Sequence, residues 1–152
     1  MKCEGDARVP LIVYWPGVTQ PGTQCDSLVQ STDLFPTLVE VAGGDSSAHS
    51  DLDGVSLMPA ICGKPLPDRG MPLFGYRAYE DLYASVRDGH WKMLAYRSGK
   101  VSLYNIDQEE AEQNDVSDSN PAIVKRLTGE LVAWEQRMNV KKYSGVQQSV
   151  RT

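Results

Sequence analysis

The side chains best equipped for chemistry are few and scattered along the 152 residues. Of the two histidines, His49 sits in a polar loop and His90 follows a turn dipeptide. Neither has an evident acid or base partner, so structural or solvent-exposed roles are favoured over proton transfer. Cys3, Cys25 and Cys62 are odd in number, far apart and without C-x-x-C spacing. They read as free thiols, buried or partly exposed, and not as a disulfide framework or a zinc site. Asp51-x-Asp53-Gly54 has the opening of a calcium loop but lacks the further acidic ligands and the closing Glu, which favours a plain loop. The acidic side chains from Asp107 to Asp115 are expected to form a solvated loop, because nothing forces them to converge. Tyr76, Arg77, Tyr79 and Glu80 form a polar-aromatic cluster between two strands.

These groups must be positioned by the elements around them. Val9 to Trp15 is a continuous apolar run, short and rich in β-branched and aromatic residues, which predicts a strand covered on both faces, as inside an α/β sheet. There is no room upstream for the neighbours such a strand needs, so the opening block reads as the last part of something larger. Pro16-Gly17 and Pro21-Gly22 predict turns. Ser31, Thr32 and Asp33 offer N-caps for a helix with Pro36 in its first turn. Leu34, Phe35, Leu38, Val39, Val41 and Ala42 would be its apolar face and Gly43-Gly44 its stop. A polar loop over 45–53 precedes a short helix from Val55 to Cys62, capped by Ser56 and closed by Gly63. Strands are predicted over Pro72–Tyr76, Tyr83–Arg87, Trp91–Arg97 and Val101–Ile106, with turns at Asp88-Gly89 and Ser98-Gly99. The alternation in the third strand leaves open which face is buried. Asn120-Pro121 predicts the start of a long helix whose stripe is Val124, Leu127, Leu131, Trp134 and Met138, packed on the antiparallel sheet. The expected fold is thus α/β, becoming α+β toward the C-terminus: the end of an α/β sheet region, then a small antiparallel sheet against a long helix. The divisions are 1–66, 67–140 and a polar tail over 141–152.

Composition narrows the function classes. A 41% hydrophobic content with a net charge of −5 describes a globular chain without the basic footprint of a nucleic-acid binder. No apolar stretch approaches the ~18 residues needed to cross a bilayer, so neither nucleic acid nor membrane is an expected partner.

In order along the chain, E-G-D-A-R-V-P at Glu4–Pro10, L-I-V-Y-W-P-G, T-D-L-F-P-T-L at Thr32–Leu38, L-D-G-V-S-L at Leu52–Leu57, V-R-D-G-H-W-K at Val86–Lys92 and L-Y-N-I at Leu103–Ile106 resemble the C-terminal part of the sulfatase family, of the alkaline-phosphatase-like superfamily. The resemblance implies a parent that hydrolyses sulfate esters with a formylglycine, made from Cys or Ser in C/S-x-P-x-R, and a divalent cation, usually calcium. Dense positive charge suits an anionic sulfate and the developing negative charge on the leaving oxygen. Cys62-Gly63-Lys64-Pro65 has its proline one place late, and Ser119-Asn120-Pro121 is followed by Ile123 where Arg is required. The family's metal ligands lie upstream of the segment matched at Glu4. Its sulfate-contacting Lys stands about five residues before that Glu, so the role does not pass to Lys2. Arg8 is expected to order local structure.

The expectation is a C-terminal sulfatase fragment, inactive alone, with no catalytic or metal-binding residue and no cofactor of its own. Calcium and formylglycine belong to the parent, whose N-terminal catalytic region is the missing partner. Loops of this region border the family's substrate pocket, which makes Tyr76, Arg77, Tyr79, Glu80 and His90 candidate pocket residues. A Val9–Trp15 strand without its sheet would recruit a second copy, giving a homo-oligomer. The competing expectations are a non-enzymatic interaction module, and a fragment of a related phosphodiesterase or phosphonate hydrolase.

Overall fold

The computed structural model describes residues 9–48, 51–76, 81–108 and 112–140. The chain divides between Gly70 and Met71 into two compact units.

In the unit Pro10–Gly70, a 3-10 turn over Ser31–Asp33 runs into helix α1, Leu34–Val41. Gly43, at φ +80°, ends it in the left-handed conformation that glycine adopts without strain. The second helix, α2, is shorter than the expected Val55–Cys62 and covers Met58–Ile61. Ser56 accepts the Met58 N–H through Oγ at 3.2 Å, so the residues before Met58 form its turn and not its first helical residues. Cys25 and Cys62 are free and exposed, more open than expected.

Two expectations for this unit are corrected. Val9–Trp15 is not a strand: Ile12 is 86% and Tyr14 84% exposed. Among the described residues, nothing hydrogen-bonds the backbone of Leu11–Tyr14. A strand exists only through a neighbour, and among the described residues none lies alongside. The apolar face assigned to α1 is likewise turned outward, with Leu34, Phe35, Leu38 and Val41 exposed and Asp33, Pro36 and Thr37 buried.

The second unit holds four strands, β1 (Leu73–Tyr76), β2 (Leu82–Asp88), β3 (Trp91–Tyr96) and β4 (Val101–Asn105), in an antiparallel meander of order β1-β2-β3-β4. Asp88 pairs with Trp91 across a two-residue loop in which Gly89 takes φ +54°, a sign that primed hairpin turns demand. At the next turn Gly99 takes φ +86° and donates its N–H to Tyr96 O at 3.0 Å. The outer edge of β4 is not left bare: Val116 N–H donates to Leu103 O at 2.8 Å, and Leu103 N–H donates to Asp115 Oδ1 at 3.0 Å. That pairing blunts an edge that would otherwise recruit another chain.

Helix α3, Pro121–Arg137, supplies the core. Leu127 and Leu131 are buried against Val86, Met93 and Leu103, with Val124 and Trp134 packed around them. The stripe extends to Glu135, which is buried, whereas Met138 lies past the helix end and is 39% exposed. The open question of β3 resolves into burial on both faces, Met93 and Ala95 on one and Lys92 and Leu94 on the other. Asn120 precedes the helix as expected, but its amide donates backward to Val116 O at 3.0 Å and does not cap the helix.

Candidate functional site

The most tightly constructed polar constellation lies in the Pro10–Gly70 unit, around Asp33. The T-D-L-F-P-T segment places Asp33 at the helix entrance and Thr37 one turn later on the same face. The Asp33 carboxylate takes Gln30 N–H at 2.8 Å, Val55 N–H at 2.9 Å, and both arms of Arg69 at 2.8 and 2.6 Å. Thr37 Oγ donates to Asp33 O at 2.5 Å and accepts Leu57 N–H at 2.8 Å. Gly54 makes this approach possible, since a Cβ there would stand 2.2 Å from Thr32 O. Burial alone would raise the Asp33 carboxyl, but the Arg69 guanidinium and the two backbone N–H groups outweigh it and hold the pKa below the ordinary aspartate value. Every oxygen of Asp33 is engaged, so the cluster joins α1 to the Gly54–Leu57 strand of loop and to Arg69. It is an anchoring group with no vacant ligand position. The sequence offers Asp33 as a helix cap; it stands at the N-cap position of α1 but its carboxylate makes no cap bond there, and its bond to Arg69, thirty-six positions away, carries no local signal.

In the second unit, Lys92 Nζ meets Glu112 Oε1 at 2.6 Å, with both side chains nearly inaccessible. Glu112 holds φ +54°, a conformation that a non-glycine residue adopts only when its surroundings enforce it. The expectation of a wholly solvated acidic loop is corrected here. Glu112 is fixed by a buried cation, and Asp115 is fixed by the N–H groups of Leu103 and Ser117. Burial would raise the Asp115 carboxyl as well; hydrogen bonds from the Leu103 and Ser117 N–H groups outweigh it and lower the pKa. Glu109 and Glu110 lie outside the described residues.

Of the candidate pocket residues, two are described. Tyr76 ends β1, opposite Ala84, and its ring lies 6.4 Å from that of Trp134, tilted by 46°. Phe74, two residues earlier, stacks on the same indole at 5.0 Å. His90 is at the β2–β3 turn, 4.8 Å from the Trp91 ring. Since Tyr76 pairs with Ala84 and the turn begins after Asp88, the two are separated by about 13 Å of strand and do not converge. Arg77, Tyr79 and Glu80 lie outside the described residues, as do His49, Lys2 and Arg8. Among the described residues, no group of three or more His, Cys, Asp or Glu side chains is placed to hold a metal ion.

The architecture and the sequence agree in their relatives. The family model described as N-sulphoglucosamine sulphohydrolase, C-terminal, matches residues 1–137. Arylsulfatase A of Bos taurus is 35% identical over 123 residues, covering 78% of this chain and 22% of that protein. Choline-sulfatase of Rhizobium meliloti (strain 1021) is 30% identical over 129 residues, covering 82% of this chain and 24% of that protein. The crystal structure of Ps i-CgsB superposes with a TM-score of 0.69 at 29% identity, over 80% of this chain and 27% of its own. The chain therefore spans about a quarter of the length of these relatives. With its antiparallel sheet, its long closing helix and its ordered motifs, the chain belongs to the sulfatase family, as a C-terminal sulfatase domain of the alkaline-phosphatase-like fold.

Proposed function

We propose that this chain is the C-terminal part of a sulfuric ester hydrolase and is inactive by itself, the nucleophile and metal ligands being supplied by the N-terminal catalytic region of a longer protein. The observation that carries this is the match of a C-terminal sulfatase family model over residues 1–137, in a chain that spans 22% of arylsulfatase A. Two sequence facts support it. No C/S-x-P-x-R motif occurs, so neither Cys62 nor Ser119 stands where a formylglycine is made. The polar hub at Asp33 has its oxygens already committed to protein donors. Calcium and formylglycine are accordingly assigned to the catalytic region and not to this chain.

The segment Tyr76, Arg77, Tyr79 and Glu80 is proposed as pocket wall in the complete enzyme. His90, at the β2–β3 turn, is proposed as a further contribution to that pocket. A related ester remains a second reading, because phosphonate monoester hydrolase SpPMH from Silicibacter pomeroyi shares the fold, with a TM-score of 0.61 at 22% identity. The coding sequence upstream of Met1 decides between them. An in-frame C/S-x-P-x-R preceded and followed by acidic ligands is the expected result. An upstream frame with a different nucleophile context would transfer the chain to the other ester chemistry, and a stop codon directly before Met1 would overturn both.

A further inference from the structure

β4 ends the sheet without a protective residue of its own. Edge strands are commonly kept from pairing by a charged side chain or a proline, and Val101–Asn105, V-S-L-Y-N, has neither. Leu103 turns both its N–H and its C=O away from β3, so the register puts the outward-facing backbone of β4 at Val101, Leu103 and Asn105. The centre of this edge is closed by residues 112–119 of the same chain. Asp115 Oδ1 accepts the Leu103 N–H and Val116 N–H donates to Leu103 O, the two bonds that one residue of a fifth antiparallel strand would make. The Val116 side chain packs on the core, and the Asn120 amide donates to Val116 O, which ties the segment to the start of α3. Its other end is held by Lys92, whose Nζ meets Glu112 Oε1 at 2.6 Å with both side chains buried. Glu112 sits there at φ +54°, a conformation that a non-glycine residue leaves once nothing holds it.

We propose that residues 112–119 are an autoinhibitory strap, locked by the Lys92–Glu112 pair, and that releasing the strap lets β4 pair with the β4 of a second copy of this chain. The strand itself selects the occupant. An antiparallel pair with its two-fold axis at Leu103 sets Leu103 opposite Leu103 of the other copy and Val101 opposite Asn105, so each outward N–H meets a carbonyl. No charge in V-S-L-Y-N opposes that pairing, and Val101 and Tyr104 are strong strand formers. The strap prevails while it is anchored because it is tethered beside the edge, at an effective concentration that a free second copy does not reach. This surface lies in the unit that carries the meander, apart from Val9–Trp15, and does not depend on which ester the parent hydrolyses.

The test frees the strap with Glu112→Ala and Asp115→Ala together in the 152-residue chain, followed by sedimentation across a concentration series and by amide hydrogen exchange. The unaltered chain sets the baseline mass. The double variant is expected to keep native circular dichroism and to approach twice that mass as concentration rises, with the Val101, Leu103 and Asn105 amides gaining protection in step. Val101→Pro removes one outward N–H at the first residue of the strand, where proline is tolerated. Added to the double variant, it returns the mass to baseline. Lys92→Met leaves Glu112 buried without its cation and shifts association in the same direction, at higher concentration. A folded double variant that stays at baseline overturns the proposal. So does extra association that Val101→Pro leaves in place, or that brings no protection to these three amides, since either assigns it to another surface. Loss of native circular dichroism in the double variant overturns it as well, because the segment would then belong to the fold and not be a detachable cover. A Lys92→Met chain at baseline mass overturns the lock.

Discussion

Asp33 shows how much one side chain can do when both carboxylate oxygens are shared out among several donors. Arg69 is its counter-ion across a buried bidentate contact, with side-chain exposures of 10% and 0%. Truncating one partner of such a pair leaves the other charge in a place that cannot solvate it. Arg69→Ala should therefore cost about 3–5 kcal/mol in urea unfolding of the chain. A cost near zero would mean that water reaches the carboxylate. The lowered pKa of Asp33 gives the same contact a pH signature. Its unfolded form takes up a proton near the ordinary aspartate value of about 3.9, before the folded form does. The contribution is thus complete above that value and disappears as pH falls through the lower, folded one. Asp115, lowered for a like reason, acts in the same direction. Unfolding free energy should be level near neutrality and decline below about pH 5, with a shallower decline in Asp33→Asn. Of this cluster, the sequence made Asp33 and Gly54 visible as members of motifs. It did not make Arg69 visible, because a guanidinium in a Pro- and Gly-bounded connector has no period or spacing that reveals what it will meet.

Elements differ in how far their own residues determine them. The β2–β3 hairpin is legible one residue out of step: Asp88 pairs with Trp91, the loop is Gly89-His90, and Gly89 supplies the φ > 0 (+54°) that a two-residue loop needs. Gly89→Val should consequently loosen the hairpin by about 1–2 kcal/mol, measured by thermal unfolding, whereas Gly89→Asn should be better tolerated. The stripe of α3 is legible for a similar reason, since Leu127 and Leu131 are one turn apart and both fall on the sheet. Leu131→Ala should destabilise by about 2–5 kcal/mol, through lost burial and the cavity left against Val86 and Met93. Val9–Trp15 is the contrary case. Its composition states that it belongs in a sheet, but strand formation requires hydrogen-bond partners that its own residues cannot provide. The outward turn of α1 was hidden in the same way. Helical spacing identifies an apolar stripe without saying whether the layer it faces lies within the chain.

At the scale of the molecule, the two units differ in how complete their packing is. The meander and α3 enclose a core of Val86, Met93, Leu103, Leu127 and Leu131. The Pro10–Gly70 unit instead holds its order through the Asp33 hub and directs Phe35, Leu38, Ile12 and Tyr14 toward solvent. The family match over residues 1–137 makes the chain a C-terminal sulfatase domain, spanning about a quarter of the relatives' length. The central claim is that the scaffold carries no esterase chemistry of its own. It is tested most directly by incubating the purified chain with an aryl sulfate and calcium and following release of the phenol. No turnover above the uncatalysed rate is predicted. Sustained, enzyme-concentration-dependent release, retained after repurification, would contradict the account.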